Sequence, residues 1–330
     1  MILTAATFLV ALVLALVGTP RAAEAARRFG IVDRPDGRLK KHTEPIPYLG
    51  GLAVYAAFLV ALSVTFEFDQ RVLGILFAGS IAVTLGLIDD LGALRPTHKL
   101  AGQVLACWVM VKSGVSIQIA ILPEPINLLL TFLWVLAIVN AINFLDIMDG
   151  LAVGTSAIAA FFLWAVAHLN GEPVVELLAA ALVGSLLGFL RYNFHPARVY
   201  LGDTGSLFLG VTLAGLAMVG RYAGENRIAY FSPLLILGVP IFEISFVSVV
   251  RWLRGLKPWL GSPDHTALRL RALGLGTVPT VCTLYLASIV LGYLAWWNLF
   301  LSIPASLVLL AVVAAGVLAA GVALARVRVS

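Results

Sequence analysis

Eleven long apolar runs follow one another along this chain, and no water-soluble fold can bury that many. They lie near 2–19, 48–66, 72–88, 99–113, 126–145, 151–169, 174–190, 204–221, 231–250, 280–298 and 302–325. A helix needs about 20 apolar residues to cross a bilayer, with a range of ~17–25. In lipid the backbone must satisfy its own polar groups, so runs of this length become helices. Composition agrees: the chain is 61% hydrophobic and 12% charged, against roughly 45–50% and 25% in soluble domains. The expectation is an all-α polytopic integral membrane protein of about 11 transmembrane helices, forming one domain over 1–330. Cys107 and Cys282 sit inside apolar runs, without disulfide or metal-ligand spacing.

Charge placement orients the bundle. Met1–Val17 lacks a basic leader, and Arg21, Arg27 and Arg28 follow the run instead. That order predicts a retained first helix with its N-terminus outside and the C-terminus cytoplasmic. Seven Lys and Arg then fall in the first inside loop, including Arg34, Lys40 and Lys41. Eighteen of the 22 lie inside in all, leaving Arg71, Lys112, Arg221 and Arg227 outside. The split obeys the positive-inside rule. It also accounts for the basic balance without a nucleic-acid partner. Outside connections such as "EFDQ" and "NGEP" are short, so the working face is expected on the cytoplasmic side.

Four polar clusters gather on that face. "GLIDDLGALRPTHKL" carries Asp89 and Asp90, adjacent carboxylates that repel unless a cation or proton is shared. The plainer alternative is a solvated helix end. "NAINFLDIMDGLA" carries Asn140, Asn143, Asp146 and Asp149. If helix continues through it, they lie three apart along one face; alternatively Asp149 caps the helix that follows. "RYNFHPARVYLGDTGS" places Asp203 where the eighth run begins, either as a helix cap or as a functional acid beside Asn193, His195 and Arg198. The basic stretch Arg251–Gly274 holds Asp264, His265, Arg269 and Arg271. It reads as a functional loop or as a headgroup-facing helix. Carboxylates for a divalent metal, with Arg, Lys and His for phosphates, point to magnesium-dependent phosphoryl transfer at the membrane surface. No Gly-rich phosphate loop ending in Lys-Ser/Thr is present, which argues against an ATP motor.

"KKHTEPIPYLGG", "LIDDLGALRPTHK", "NAINFLDIMDGLAVG", "RYNFHPARVYLGDTGS" and "LGVPIFE…SPDHTALRL" occur in this order over nearly the whole chain. In these motifs the chain resembles the polyprenyl-phosphate N-acetylhexosamine-1-phosphate transferases of glycosyltransferase family 4. That group includes the phospho-N-acetylmuramoyl-pentapeptide transferase. The resemblance implies transfer of a HexNAc-1-phosphate, by default GlcNAc-1-phosphate, from a UDP-sugar to polyprenyl (undecaprenyl) phosphate. UMP would leave, and the step would be the first membrane step of cell-envelope glycan synthesis. It also implies Mg2+ (with Mn2+ as a substitute), an inner-membrane location, and UDP-N-acetylhexosamine and the lipid carrier as partners. A homodimer is compatible with it.

The resemblance implies roles as well. Asp89, Asp90, Asp203 and His265 would be catalytic, with Asp203 and Asp90 on the metal. Lys41 (or Lys40), Asn143, Asp146, Asp149, Asn193 and Arg269 would bind substrate. Four positions, making three departures, differ from the family pattern. Ile147 stands where a glycine is usual, Ala267 and Leu268 replace histidines after His265, and Glu243 replaces an aspartate. The reduced histidine loop argues against the muramoyl-pentapeptide substrate. Two other classes were weighed against this one. A CDP-alcohol phosphotransferase would need an Arg after "DGLA". A transporter would place its acids near the bilayer midplane.

Overall fold

A computed structural model describes residues 1–33, 45–65, 69–92, 94–222, 226–257 and 263–329. Lys40 and Lys41 lie outside the described residues. Helices α1 (Ile2–Phe29), α2 (Gly50–Thr65), α3 (Gln70–Asp90), α4 (Pro96–Lys112) and α5 (Glu124–Leu145) make up the first half. Helices α6 (Leu151–Leu169), α7 (Pro173–Asn193) and α8 (Gly202–Val219) follow. A 3-10 turn (Arg227–Phe231) leads into α9 (Ser232–Ile236) and α10 (Gly238–Leu253). The chain closes with α11 (Thr266–Ala272), α12 (Thr277–Asn298) and α13 (Ile303–Ala325). Between α1 and α2, β1 (Val32–Asp33) and β2 (Ile46–Pro47) pair antiparallel, Val32 opposite Pro47.

All eleven expected runs fall on helices. Eight described helices are long and apolar enough to span a membrane. The ninth run is not one straight helix: it bends by 69° between Ile236 and Gly238. Pro240, in the first turn of α10, has no N–H to continue the ladder from α9. The second and fourth runs form shorter helices of 16 and 17 residues. Between α6 and α7, Gly171 turns the chain at φ +65°.

Helix α8 is the axis of the fold. Its spanning window is 83% buried, whereas that of α13 is 0% buried. Helices α2, α3 and α5 pack around α8, and α7 joins α1 to α6 on the far side. The contacts around α8 are backbone to backbone. A Cβ at Gly51 would overlap Gly205, one at Gly86 would overlap the peptide between Asp203 and Thr204, and one at Gly210 would overlap Val139. Lipid tails are as apolar as Leu, so membrane helices associate through close packing at small residues.

Helix α13 is tied mainly at its ends. At one end Asn226 donates from Nδ2 to Ser306 Oγ (2.7 Å) and to the Asn298 carbonyl (2.8 Å). At the other, Arg269 Nη1 donates to the Leu324 and Ala325 carbonyls at 3.0 and 3.3 Å.

Substituting Gly86→Ala drives a methyl group into the start of α8 and should cost about 1–3 kcal/mol, the usual price of overpacking. Thermal unfolding in detergent should show a lower midpoint. Gly316→Ala, where nothing lies within 4 Å, should leave the midpoint unchanged.

Candidate active site

Helices α3 and α5 end, and α4 and α8 begin, at the same end of the bundle. Their polar residues therefore meet there. Asp90, the last residue of α3, turns its carboxylate onto the first turn of α8. Oδ1 accepts the Asp203 N–H at 2.8 Å. Oδ2 accepts the Thr204 N–H at 3.0 Å and the Thr204 hydroxyl at 2.6 Å. The opening amides of a helix have no partner within it and favour an anion, and Asp90 supplies that anion from another helix. Gly202 makes room for it: φ is +70°, and a Cβ would come within 2.7 Å of Asp90 Oδ2. Asp203 is thus not the cap of its own helix. It is a first-turn residue whose backbone is held by Asp90 and whose side chain is free for other partners.

Those partners are Lys99 and Asn143. Lys99 Nζ lies 2.7 Å from Asp203 Oδ2 and 2.9 Å from Asp89 Oδ2. Asn143 Nδ2 donates to Asp203 Oδ1 at 2.5 Å and to Ser206 Oγ at 3.0 Å. One ammonium therefore bridges two carboxylates that would otherwise repel. The side chains of Asp203, Asp89 and Lys99 remain 29%, 18% and 17% exposed, so the cluster opens to solvent. One turn back on α5, Asn140 donates to Gln103 Oε1 at 2.9 Å and links α5 to α4.

The row in "NAINFLDIMDG" does not continue as helix. Helix α5 ends at Leu145, and residues 146–150 form a turn. Asp146 lies by the Gly202 N–H. Burial, then the charges of Asp203 and Asp90, push its carboxyl up to about 8. Asp149 does not cap α6, whose N-cap is Gly150 with no side-chain bond. It accepts instead from His195 Nδ1 (2.7 Å) and the Ala197 N–H (3.0 Å), holding the segment after α7. Asn193, expected to bind substrate, is 3% exposed and staples two backbone segments. It accepts the Gly150 N–H at 3.1 Å and donates to the Val199 carbonyl at 3.0 Å.

The fourth cluster divides. His265 packs against α5: its ring meets Phe144, the neighbour of Asn143, edge-on at 5.7 Å. Its Nδ1 lies 2.8 Å from Glu243 Oε1. Arg269, expected to bind substrate, turns into the protein. It is 0% exposed. Its donors go to Asp264 Oδ1 (2.9 Å), the Asp264 carbonyl and the carbonyls at the end of α13. Its guanidinium thus ties the start of α11 to the end of α13.

Three residues of this centre were not singled out in the sequence. Lys99 was counted only as an inside positive charge; its signal was a lysine nine residues after Asp90 on an apolar helix. Tyr48 and Tyr200 pair at 5.9 Å between ring centroids. Tyr48 hydrogen-bonds the Asp33 side chain, and Tyr200 lies within electrostatic reach of Asp149 and Asp146. Nothing in the pattern around these tyrosines marks them.

Among the described residues, no three His, Cys, Asp or Glu side chains are grouped to hold a metal ion. Magnesium needs fewer: one or two carboxylates, completed by substrate phosphates. Asp203 and Asp89, already sharing one cation, fit that requirement. Asp90, expected beside Asp203 on the metal, has both oxygens engaged by α8. Asp89, Asp90 and Asp203 lie around the single ammonium of Lys99.

Fold and centre together define a class: polytopic helical membrane proteins with a cation-bridged acidic centre where the central helices meet. Within that class the chain belongs to glycosyl transferase family 4, whose family model matches residues 72–221. It is 33% identical over 320 residues to the probable undecaprenyl-phosphate N-acetylglucosaminyl 1-phosphate transferase of Bacillus subtilis, covering 91% of this chain and 88% of that one. It is 32% identical over 289 residues to the decaprenyl-phosphate N-acetylglucosaminephosphotransferase of Mycolicibacterium smegmatis (76% and 70%). It is also 34% identical over 213 residues to the phospho-N-acetylmuramoyl-pentapeptide-transferase of Caldicellulosiruptor bescii (58% and 66%).

Removing the bridging ammonium tests the centre directly. Breaking a fully buried ion pair costs about 3–5 kcal/mol, and partial exposure here brings Lys99→Met to about 1–3 kcal/mol. Its unfolding midpoint should fall in EDTA. Millimolar magnesium should restore part of the loss, because a divalent cation can take the place of the ammonium.

Proposed function

We propose that this protein transfers N-acetylglucosamine 1-phosphate from UDP-N-acetylglucosamine to a polyprenyl phosphate, with magnesium, at the cytoplasmic face of the membrane. The observation that carries this reading is the Asp89–Lys99–Asp203 bridge at the start of α8. The relatives' names supply the polyprenyl phosphate and the N-acetylglucosamine phosphate transferred, the motif resemblance supplies the UDP carrier, and the eighteen-to-four charge split supports the side of the membrane.

In this reaction an oxygen of the carrier phosphate attacks the sugar-bearing phosphorus of the UDP-sugar. A new P–O–P link forms, the bond to the uridylyl oxygen breaks, and UMP leaves with that oxygen and its electrons. A phosphate monoester is already largely ionised near neutral pH, its second pKa being about 6, so little base catalysis is needed. The work is positioning and charge stabilisation. Magnesium supplies neutralisation of the diphosphate oxygens when bound, and Asp203 with Asp89 would hold it. Lys99, released from one carboxylate, turns its ammonium toward the transferred phosphate. Asn143 keeps Asp203 aimed, Asp90 fixes the backbone that carries it, and His265 donates a ring N–H to the diphosphate. Asp146 and Asp149 sit on the turn that lines the nucleotide side, with Ile147, 37% exposed, between them.

The test is release of UMP by the purified protein, given undecaprenyl phosphate, magnesium and a panel of UDP-sugars. UDP-N-acetylglucosamine should be a substrate, and Asp203→Asn should lower release by at least about 100-fold, as expected for loss of a charge-stabilising group. No UMP from any UDP-HexNAc, with solute movement retained in Asp203→Asn, would instead mark a transporter.

A further inference from the structure

Glu243 is a buried carboxylate, 2% exposed, on a helix outside the Asp89–Lys99–Asp203 bridge. A charge taken out of water survives only if its lone pairs are satisfied. Here each oxygen has one donor. Oε1 lies 2.8 Å from His265 Nδ1, and Oε2 accepts the Thr266 N–H at 3.2 Å. Thr266 opens α11, and the N-cap residue His265 provides no side-chain cap of its own. The carboxylate of α10 therefore caps α11 from outside and grips the imidazole of the capping residue at the same time. Backbone and ring of His265 are both set by one side chain.

The bond also fixes the ring chemically. A carboxylate accepts only, so Nδ1 must carry the hydrogen. Nε2 is then the one ring nitrogen left for a ligand. Phe144 closes a second side of the ring, edge-on at 5.7 Å with the planes at 81°. Phe144 follows Asn143, which holds Asp203. The ring is thus located from α10 on one side and, on the other, from the helix that positions the acidic centre. The His265 side chain is 10% exposed, an opening suited to one atom rather than a whole ring.

We infer that Glu243 is a positioning residue for the transfer, holding His265 as an imidazolium so that its Nε2–H is presented as a donor to the substrate diphosphate. This rests on the transferase reading above. A group that acts only through another should be worth nothing once that other is gone, and this separates positioning from simple stabilisation.

The experiment is a double-mutant cycle on the purified full chain, with UMP release and thermal unfolding measured on each variant. Glu243→Gln keeps the volume but points an amide N–H at either the Thr266 N–H or the imidazole N–H. It should lower kcat about 10–100-fold, as loss of a partner behind a histidine does. KM for the UDP-sugar should move less than about threefold, the pattern of an interaction made in the transition state. Glu243→Asp, which keeps the charge, should recover part of kcat. In the His265→Ala background, Glu243→Gln should cost less than about threefold further.

A full multiplicative loss in that background would overturn the inference while leaving the transferase reading intact. So would a wild-type kcat in Glu243→Gln. A wild type that releases no UMP from any UDP-HexNAc would overturn both. Loss of unfolding midpoint alone, with kcat unchanged, would reduce Glu243 to a helix cap.

Discussion

The carboxylate of Asp90 on the first turn of α8 is the contact from which the rest of the centre follows. A helix that begins inside a membrane protein exposes amides that lipid cannot satisfy. Asp90 satisfies two of them and the Thr204 hydroxyl together. In doing so it locks the end of α3 to the start of α8. The neighbouring side chains, Asp89 on one helix and Asp203 on the other, are thereby brought close enough to share Lys99. The glycines are part of the same construction. Without a Cβ at Gly86, Gly202 or Gly51, the backbones reach a separation at which a short Asp side chain can span the gap.

This arrangement divides labour between carboxylates that look alike in sequence. Asp90 and Asp89 are adjacent, yet one is spent on scaffold and the other faces the Lys99 ammonium. Asp146 and Asp149 are three apart, yet one is enclosed near Gly202 and the other braces the segment after α7. The centre gathers acid beyond what its one lysine offsets, which is the condition under which a divalent cation with phosphate ligands is welcome. Burial and hydrogen bonding, not residue type, decide which acid can do chemistry.

Much of the architecture was legible because lipid leaves few options. Apolar length fixed helices in all eleven places, and the polar residues did converge at one end. The break at Pro240 was missed because apolarity runs straight through it. The expected face of Asn140, Asn143, Asp146 and Asp149 was half right. Periodicity cannot tell where a helix stops when a turn of polar residues keeps the same spacing. The backbone partners of Asn193 and Arg269 were not legible for a different reason. A polar side chain near a motif reads as ligand-facing, while its hydrogen bonds to distant backbone, such as Val199 or Leu324, are invisible in sequence. Lys99 was underrated because its partners come from two other helices.

The central claim is that Asp90 acts through the scaffold and Asp203 acts on the reacting groups. The most direct test is to measure unfolding midpoint and UMP release side by side for Asp90→Asn and Asp203→Asn. The account predicts that Asp203→Asn loses turnover with its midpoint near that of the wild type. Asp90→Asn should lose both, since leaving helix amides unmatched costs about 1–3 kcal/mol. A stable Asp90→Asn protein that turns over normally, or an Asp203→Asn protein that unfolds like it, would contradict the account.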